Sequence, residues 1–323
     1  MTAAPENEIL QPDTHGVRRL EFRALGTPCV IQFRHADDRA AHHFAAEALD
    51  WLSGFEAKFS RFRPDSIVSR VNTAAGSEWV AVDPEMERML DLSEGLYNLT
   101  DGILDVTMLP LLKTWDWKTV HTRLPNVEEV KAALALTGWR RVQRRPGAVF
   151  LPEKGMGLDF GGFGKELAVD RLARMARERG IKDALIDLGR DIFALGGNGR
   201  HPFWHVGMDN ASHPGTCVGG LALSDRAVSA SGDYARFFMH EGVRYGHILD
   251  PRTGWPVSNG MRSVHVVAQS CLEAGVYSTA VFVLGARDGI AFASRARHVE
   301  VSAQTTGEPV STRNFAKWMV KAA

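Results

Sequence analysis

Helical and β-type patterns both recur along this chain, and neither runs through the whole of it. Apolar residues repeat at spacings of three and four over about residues 39–60, which predicts an amphipathic helix. Capping signals predict further helices after Asp83, Asn126 and Ser270. Short β-type segments predict strands at about 19–34, 184–195, 204–208, 227–231, 245–249 and 263–268. Since no repeat or linker separates these elements, we expect an α+β fold with mixed sheets flanked by helices in two interleaved lobes.

The charge balance argues against two classes of partner. The chain has 38 Lys and Arg residues against 38 Asp and Glu residues, so it lacks the positive field of a nucleic-acid binder. No apolar stretch approaches the roughly 18 residues that span a bilayer, and we expect no membrane span. Residues 1–17 are interpreted as a disordered leader without a secretory signal, before a domain at 18–320. Three widely spaced cysteines fit a reducing compartment, and we expect a cytoplasmic protein.

A glycine-rich loop from Gly157 to Lys165 precedes a helix that is predicted to end at Gly180. Glycines let the backbone approach a phosphate closely, and a helix N-terminus offers free N–H groups. Lys165 adds a full positive charge. The loop matches neither the dinucleotide-binding fingerprint nor a Walker A motif. On spacing alone, an anion site and a tight turn with a solvated lysine are equally open.

A second candidate segment runs from His247 to Gly254, where Asp250-Pro251-Arg252-Thr253-Gly254 has the composition of a turn. At the end of a strand, His247 can act as a base, and Asp250 can be the carboxylate that orients it. The alternative is a hairpin in which the histidine and the aspartate cap the turn. Taken alone, these residues favour the hairpin.

Together, these segments resemble the FAD:protein FMN transferase family, known as ApbE, over about residues 20–290. The most specific part is the string His247-Ile248-Leu249-Asp250-Pro251-Arg252-Thr253-Gly254 beside Ser231-Gly232-Asp233-Tyr234. The other matching segments, in the family's order, are Leu25-Gly26-Thr27, Ser60 to Ser66, Ser69 to Asn72, Asp105 to Thr107, Leu158 to Lys165, Val169-Asp170, Asp187 to Asp191, and Thr279.

The resemblance implies an ApbE-type, T-fold-like α+β architecture and an enzyme that uses FAD and Mg²⁺. Such enzymes attach the FMN half of FAD to a Thr or Ser hydroxyl in a short motif of a partner flavoprotein and release AMP, and some members hydrolyse FAD instead. By the same resemblance, His247 and Asp250 would be catalytic, and Gly162 and Thr279 would hold the metal. The FAD site would be lined by Leu25, Phe62, Leu104, Asp105, Asp159, Gly161, Gly162, Lys165 and Leu249. At Leu25 and Phe62, ordinary core packing is an open alternative.

Three positions depart from the family's pattern. Gly275 stands where the resemblance calls for a metal-binding aspartate, Glu166 follows Lys165 in place of a glycine, and Arg190 replaces another glycine. We therefore expect a weakened Mg²⁺ site that Gly275→Asp would repair, with Arg190 able to neutralise the pyrophosphate. The alternative function is an FAD-binding protein or an FAD pyrophosphatase with weakened or lost transfer. A redox enzyme is disfavoured, because the dinucleotide fingerprint is missing.

Overall fold

The structure is a computed structural model, and it describes residues 11–116, 123–213, 215–234 and 236–320. The helices are α1 Asp38–Phe59, α2 Ile67–Thr73, α3 Pro84–Leu99, α4 Leu109–Thr114, α5 Val127–Ala135, α6 Gly164–Glu178, α7 Cys271–Leu284 and α8 Ala286–Ala293. The strands are β1 Val17–Ala24, β2 Thr27–Arg34, β3 Val80–Ala81, β4 Gln143–Arg145, β5 Ala148–Phe150, β6 Ala184–Leu188, β7 Ile192–Leu195, β8 Trp204–Asp209, β9 Cys217–Leu223, β10 Arg226–Gly232, β11 Phe237–His240, β12 Val243–Gly246, β13 Met261–Ala268, β14 Glu300–Thr305 and β15 Val310–Ser311.

An eight-stranded sheet in the order β1-β2-β6-β7-β10-β13-β14-β15 organises these elements, and its neighbouring strands are antiparallel. Helices α1, α6 and α7 cover one face and form the main core with it. The β8–β9 hairpin forms a second core on the opposite face. Ala227 and Val228 are adjacent on β10 and lie in different cores, because successive strand residues point to opposite faces. The helices on the first face position the site described below.

A third, smaller cluster of buried side chains lies away from the main sheet. It joins α4 and α5 to the loop after β12 through Leu111, Trp115, Val130 and Leu249. The indole Nε1 of Trp115 donates to the carbonyl of Gly254 at 2.8 Å. The turn predicted at 250–254 is therefore anchored by tertiary contacts as well as by its own composition.

The locally encoded elements match the sequence. Asp83 accepts a hydrogen bond from the Met86 amide, Asn126 and Glu129 form a capping box, and Ser270 caps α7. The strand predicted at 245–249 is correct only for its first two residues, because β12 spans Val243–Gly246 and Leu249 makes only an isolated bridge to Pro256. The chain turns there instead, and the Gly254 amide donates to the Asp250 carbonyl. A further helix, α8, follows the one that the sequence placed last.

The predicted leader falls partly outside the described residues, since residues 1–10 are not among them. Residues 11–16 are described, and they include a turn in which the Gly16 amide donates to the Asp13 carbonyl. The Asp13 carboxylate accepts from the amide of Val17, the first residue of β1. In the described part of the chain, no helix has both the length and the apolar character to cross a membrane.

Candidate active site

Lys165 lies in the first turn of α6 and is held by acidic side chains. Its Nζ pairs with Asp191 on the loop between β6 and β7, and it lies 3.8 Å from Oε1 of Glu166. The hydroxyl of Ser229 donates to the other oxygen of Asp191. Burial opposes the charge of Lys165, but the two carboxylates outweigh it and raise the pKa of Lys165 above its ordinary value. The solvated lysine that the sequence left open is therefore excluded, and Lys165 is a fixed cation.

The glycine loop before α6 is shaped by Asp159. The Asp159 carboxylate accepts the amide of Gly161 at 2.5 Å and forms an ion pair with Arg61. A Cβ at Gly161 would lie 2.7 Å from that carboxylate, so a side chain at this position would displace Asp159 from this contact. Within the described residues no side chain caps α6, which leaves N–H groups of its first turn for an anion.

Two of the predicted flavin-site residues differ in exposure. Phe62 is 77% exposed, with the Arg61 guanidinium 4.1 Å from its ring centroid, so ordinary core packing is excluded for Phe62. Leu25 packs partly against the main core, has a positive φ of 52°, and donates its amide to Glu56 at 3.0 Å. Leu25 forms the β1–β2 turn with Gly26, and its part in binding FAD stays a prediction.

Leu104 and Asp105 lie beside the glycine loop. The Leu104 side chain is 3.7 Å from the position that a Cβ on Gly162 would occupy. Asp105 accepts the amide of Thr107 at 2.7 Å and the amide of Trp139 at 3.0 Å, and burial raises its pKa. Both Asp105 oxygens are thus engaged within the protein, where they fix the loop that carries Leu104. The predicted contacts of Leu104 and Asp105 with FAD are not tested by this arrangement.

His247 lies half-buried after β12, and its Nδ1 is 3.3 Å from the carbonyl of Arg236. A carbonyl can only accept, so we infer that Nδ1 carries the proton and Nε2 is the basic nitrogen. Burial and the charge of Arg236 lower the pKa of His247 to about 4, and Lys165 acts in the same direction. The imidazole is therefore neutral at pH 7.

The sequence expectation that Asp250 orients His247 is wrong. The Asp250 carboxylate accepts from the Arg252 amide at 2.9 Å and from its guanidinium at 2.7 Å. The Asp250 carboxylate therefore caps the turn, which is the alternative that the sequence left open. This outcome applies to Asp250 and not to His247. The neighbouring Leu249 is buried against the third cluster. Any catalytic role of Asp250 stays a prediction.

The α7 helix brings hydroxyl groups to the same region. Ser231 Oγ on β10 lies 2.9 Å from Ser278 Oγ and 3.3 Å from Thr279 Oγ1. Gly275 lies one turn before Thr279 on the same helix face. No group of three or more His, Cys, Asp or Glu side chains that could hold a metal occurs in the part of the chain described. A cation here would need hydroxyl, backbone or phosphate oxygens as well.

The space beside Gly275 is filled by Glu166. A Cβ on Gly275 would lie 2.5 Å from Cγ and 2.8 Å from Oε1 of Glu166. A side chain at this position would therefore require Glu166 to move, and the expectation that Gly275→Asp repairs a metal site stays a prediction. Arg190, the third departure, has a positive φ of 75° and pairs with Asp209, so its charge is already partly neutralised.

Sequence reasoning missed Asp191, Ser229 and Arg61 as site residues, and it treated Glu166 only as a departure. The sequence did offer one signal for Asp191, the segment Asp187-Leu188-Gly189-Arg190-Asp191. A hairpin turn in this segment ends on the charged residue Asp191, which is buried in the structure. A buried carboxylate requires a partner, and the cation of Lys165 provides it.

A family model described as the ApbE family matches residues 25–303. A FAD:protein FMN transferase of Treponema pallidum is 31% identical over 278 residues, which cover 81% of this chain and 77% of that protein. One of Klebsiella pneumoniae is 28% identical over 270 residues, covering 83% and 82%. The crystal structure of the ApbE protein from Thermotoga maritima superimposes with a TM-score of 0.85 at 28% identity, over 94% of this chain and 99% of that one. The flavin transferase ApbE from Vibrio cholerae gives 0.82 at 26% identity, over 94% and 99%.

Proposed function

Because this chain belongs to the ApbE family, we propose that it is a flavin transferase that takes FAD as donor and attaches FMN to a Thr or Ser hydroxyl of an acceptor protein, releasing AMP. The observation that carries this proposal is a fixed cation, the Lys165 ammonium held by Asp191, at a helix N-terminus without a side-chain cap. Burial and the charge of Arg236 keep His247 unprotonated, and Lys165 acts in the same direction.

The FAD pyrophosphate binds at the start of α6. The glycine loop allows close approach, and Lys165 with the uncapped N–H groups of that helix supplies positive charge. Phe62, exposed and backed by Arg61, offers an aromatic face for a ring of the dinucleotide. Asp191 holds the Lys165 ammonium in place, so little reorganisation is needed when the phosphates bind.

The transfer is an attack of the acceptor hydroxyl on the phosphorus of the FMN half. A bond forms between that phosphorus and the hydroxyl oxygen, the bond to the bridging oxygen breaks, and AMP leaves with the bridging oxygen. The hydroxyl proton passes to Nε2 of His247, which is neutral at pH 7 and therefore able to accept it. Lys165 stabilises the negative charge that builds up on the phosphates.

One observation indicates that the residues of this site fit Mg²⁺. Oε2 of Glu166 is buried without a hydrogen-bond partner in the described structure, and a hard cation would satisfy it. Thr279 through its hydroxyl and Gly162 through its backbone carbonyl would hold the ion. When bound, Mg²⁺ supplies charge neutralisation to the pyrophosphate.

The test mixes the purified chain with FAD, MgCl₂ and a library of Thr- and Ser-containing peptides. We expect AMP, measured by chromatography, and FMN–peptide adducts, measured by mass spectrometry, to appear in equal amounts. AMP with free FMN and no adduct would indicate the hydrolytic alternative. FAD that stays intact and unbound would contradict both activities.

A further inference from the structure

The side chain of Glu166 fills the space beside Gly275, although the two residues lie on different helices. Glu166 lies in the first turn of α6 and is 6% exposed, while Gly275 is buried in the second turn of α7. The Glu166 side chain lies where a side chain on residue 275 would be, because a Cβ there would be only 2.5 Å from its Cγ. Glycine within a helix is less favourable than alanine, so Gly275 is not explained by helix stability. It is explained by the need to admit Glu166.

The carboxylate that enters this space is not fully satisfied. Oε1 of Glu166 is 3.8 Å from Lys165 Nζ, beyond hydrogen-bond distance, and Oε2 has no hydrogen-bond partner in the described residues. Lys165 is already paired with Asp191. One ammonium group therefore faces two carboxylates, and the buried group carries a surplus negative charge when both are ionised. Buried charge of this kind is costly unless a cation balances it.

Oxygen atoms suited to a hard cation lie near this carboxylate. Thr279 is one helical turn from Gly275 on the same face of α7, and its Oγ1 is 3.3 Å from Ser231 Oγ. The glycine loop that includes Gly162 leads directly into α6. We propose that Glu166 is the carboxylate ligand of a divalent-cation site, reaching from α6 into the space that Gly275 leaves open in α7. This proposal rests on the proposed function, which supplies the phosphate oxygens.

Glu166 and Gly275 are also two of the three departures from the family resemblance. The resemblance calls for a carboxylate on α7 and a glycine on α6, whereas this chain has the glycine on α7 and the carboxylate on α6. The glycine at 275 makes the steric room that the side chain of Glu166 fills. The two departures are thus one exchange, and the site keeps a carboxylate.

Mn²⁺ is a suitable probe, because it accepts the same oxygen ligands as Mg²⁺ and its free form is visible by electron paramagnetic resonance. The experiment titrates Mn²⁺ into the full chain with saturating FAD, and compares Glu166→Gln with the control Glu273→Gln. Glu273 is a carboxylate on α7 that accepts the amide of Gln269 at the helix start. Even outer-shell partners typically contribute about 10–100-fold to metal affinity, so Glu166→Gln should weaken Mn²⁺ binding by at least about 10-fold. The control should bind as the unmodified chain does.

Thermal unfolding of variants that exchange the residue types at positions 166 and 275 tests the contact between Glu166 and Gly275 without any metal. Gly275→Asp alone should lower the melting temperature, and Glu166→Gly with Gly275→Asp should recover it, since the double variant removes the collision. Gly275→Asp that is as stable as the unmodified chain, or a double variant no more stable than the single one, would overturn the contact and the proposal with it.

Two outcomes separate this proposal from the proposed function. FAD binding is measured by fluorescence in EDTA. If the unmodified chain binds FAD but no Mn²⁺, or if Glu166→Gln binds Mn²⁺ with unchanged affinity, then Glu166 serves only as a partner of Lys165, and the cation proposal fails alone. If the unmodified chain does not bind FAD, both proposals fail.

Discussion

At the scale of single residues, the protonation state of His247 follows from its surroundings. Its Nδ1 faces a carbonyl, and burial, with smaller contributions from Arg236 and Lys165, lowers its pKa to about 4. An imidazole in water has an ordinary pKa of about 6.5, so it would be partly protonated at a pH near that value. The imidazole is thus kept neutral without a carboxylate partner, since Asp250 is occupied by Arg252.

We predict that His247→Ala lowers the rate of FMN transfer by about 10²–10⁴-fold and leaves FAD affinity nearly unchanged, because a general base acts only in the transition state. Single-turnover AMP release and an FAD fluorescence titration measure the two quantities. The control is His240→Ala, a histidine on the nearby strand β11. Equal losses in both variants, or an unchanged rate in His247→Ala, would remove His247 from the chemistry.

At the scale of secondary-structure elements, α6 and α7 are joined by a cap that one helix provides for the other. Asp170 on α6 accepts the amides of Cys271 at 2.7 Å and Leu272 at 2.9 Å, the first two residues of α7. A carboxylate at a helix N-terminus is favoured by the exposed N–H groups and by the helix dipole. This contact fixes the two helices that bring Glu166 and Gly275 together.

Asp170→Ala should therefore destabilise the fold by about 0.5–2 kcal/mol, the usual cost of losing a cap, and also weaken Mn²⁺ binding in the presence of FAD. Urea denaturation gives the stability change. Asp170→Asn retains one acceptor oxygen and should lose less. A loss of stability with intact Mn²⁺ affinity would show that the cap does not position the cation site.

At the scale of the whole molecule, the two histidines with a lowered pKa make stability depend on pH. His265 is buried on β13, and burial lowers its pKa to about 4, as for His247. Between about pH 6.5 and 4 the unfolded chain binds protons at these positions and the folded chain does not. Their contribution to stability is complete above the unfolded pKa and is lost as the pH falls through this window.

We predict that lowering the pH from 7 to 5 lowers the melting temperature of the unmodified chain relative to that of His265→Met, whereas Glu166, whose pKa burial raises to about 8, contributes in the opposite direction in both proteins. Methionine does not titrate and fits a buried position, so the comparison isolates the proton uptake. Scanning calorimetry at both pH values gives the difference. The same fall in the variant and the unmodified chain would assign the pH dependence to other groups.

The sequence alone determined the features of this protein that are encoded by short segments. The caps at Asp83, Asn126 and Ser270 were predicted correctly, because a cap depends on residues three or four positions apart. The family was also evident from the sequence, since the string from His247 to Gly254 is specific by its order of residue types. The α+β class followed from the two periodicities and is confirmed.

Only the tertiary structure decided which groups meet. Glu166 and Gly275 are far apart in sequence, and the packing of α6 against α7 makes them neighbours. Asp250 and His247 are close in sequence, and yet the turn directs the carboxylate to Arg252. The physical reason is the same in both cases. Local hydrogen bonds are determined by how far apart two residues are in the sequence, whereas the partner of a buried charge is determined by which elements pack around it. The apparent loss of a carboxylate at Gly275 therefore became visible as an exchange with Glu166 only in three dimensions.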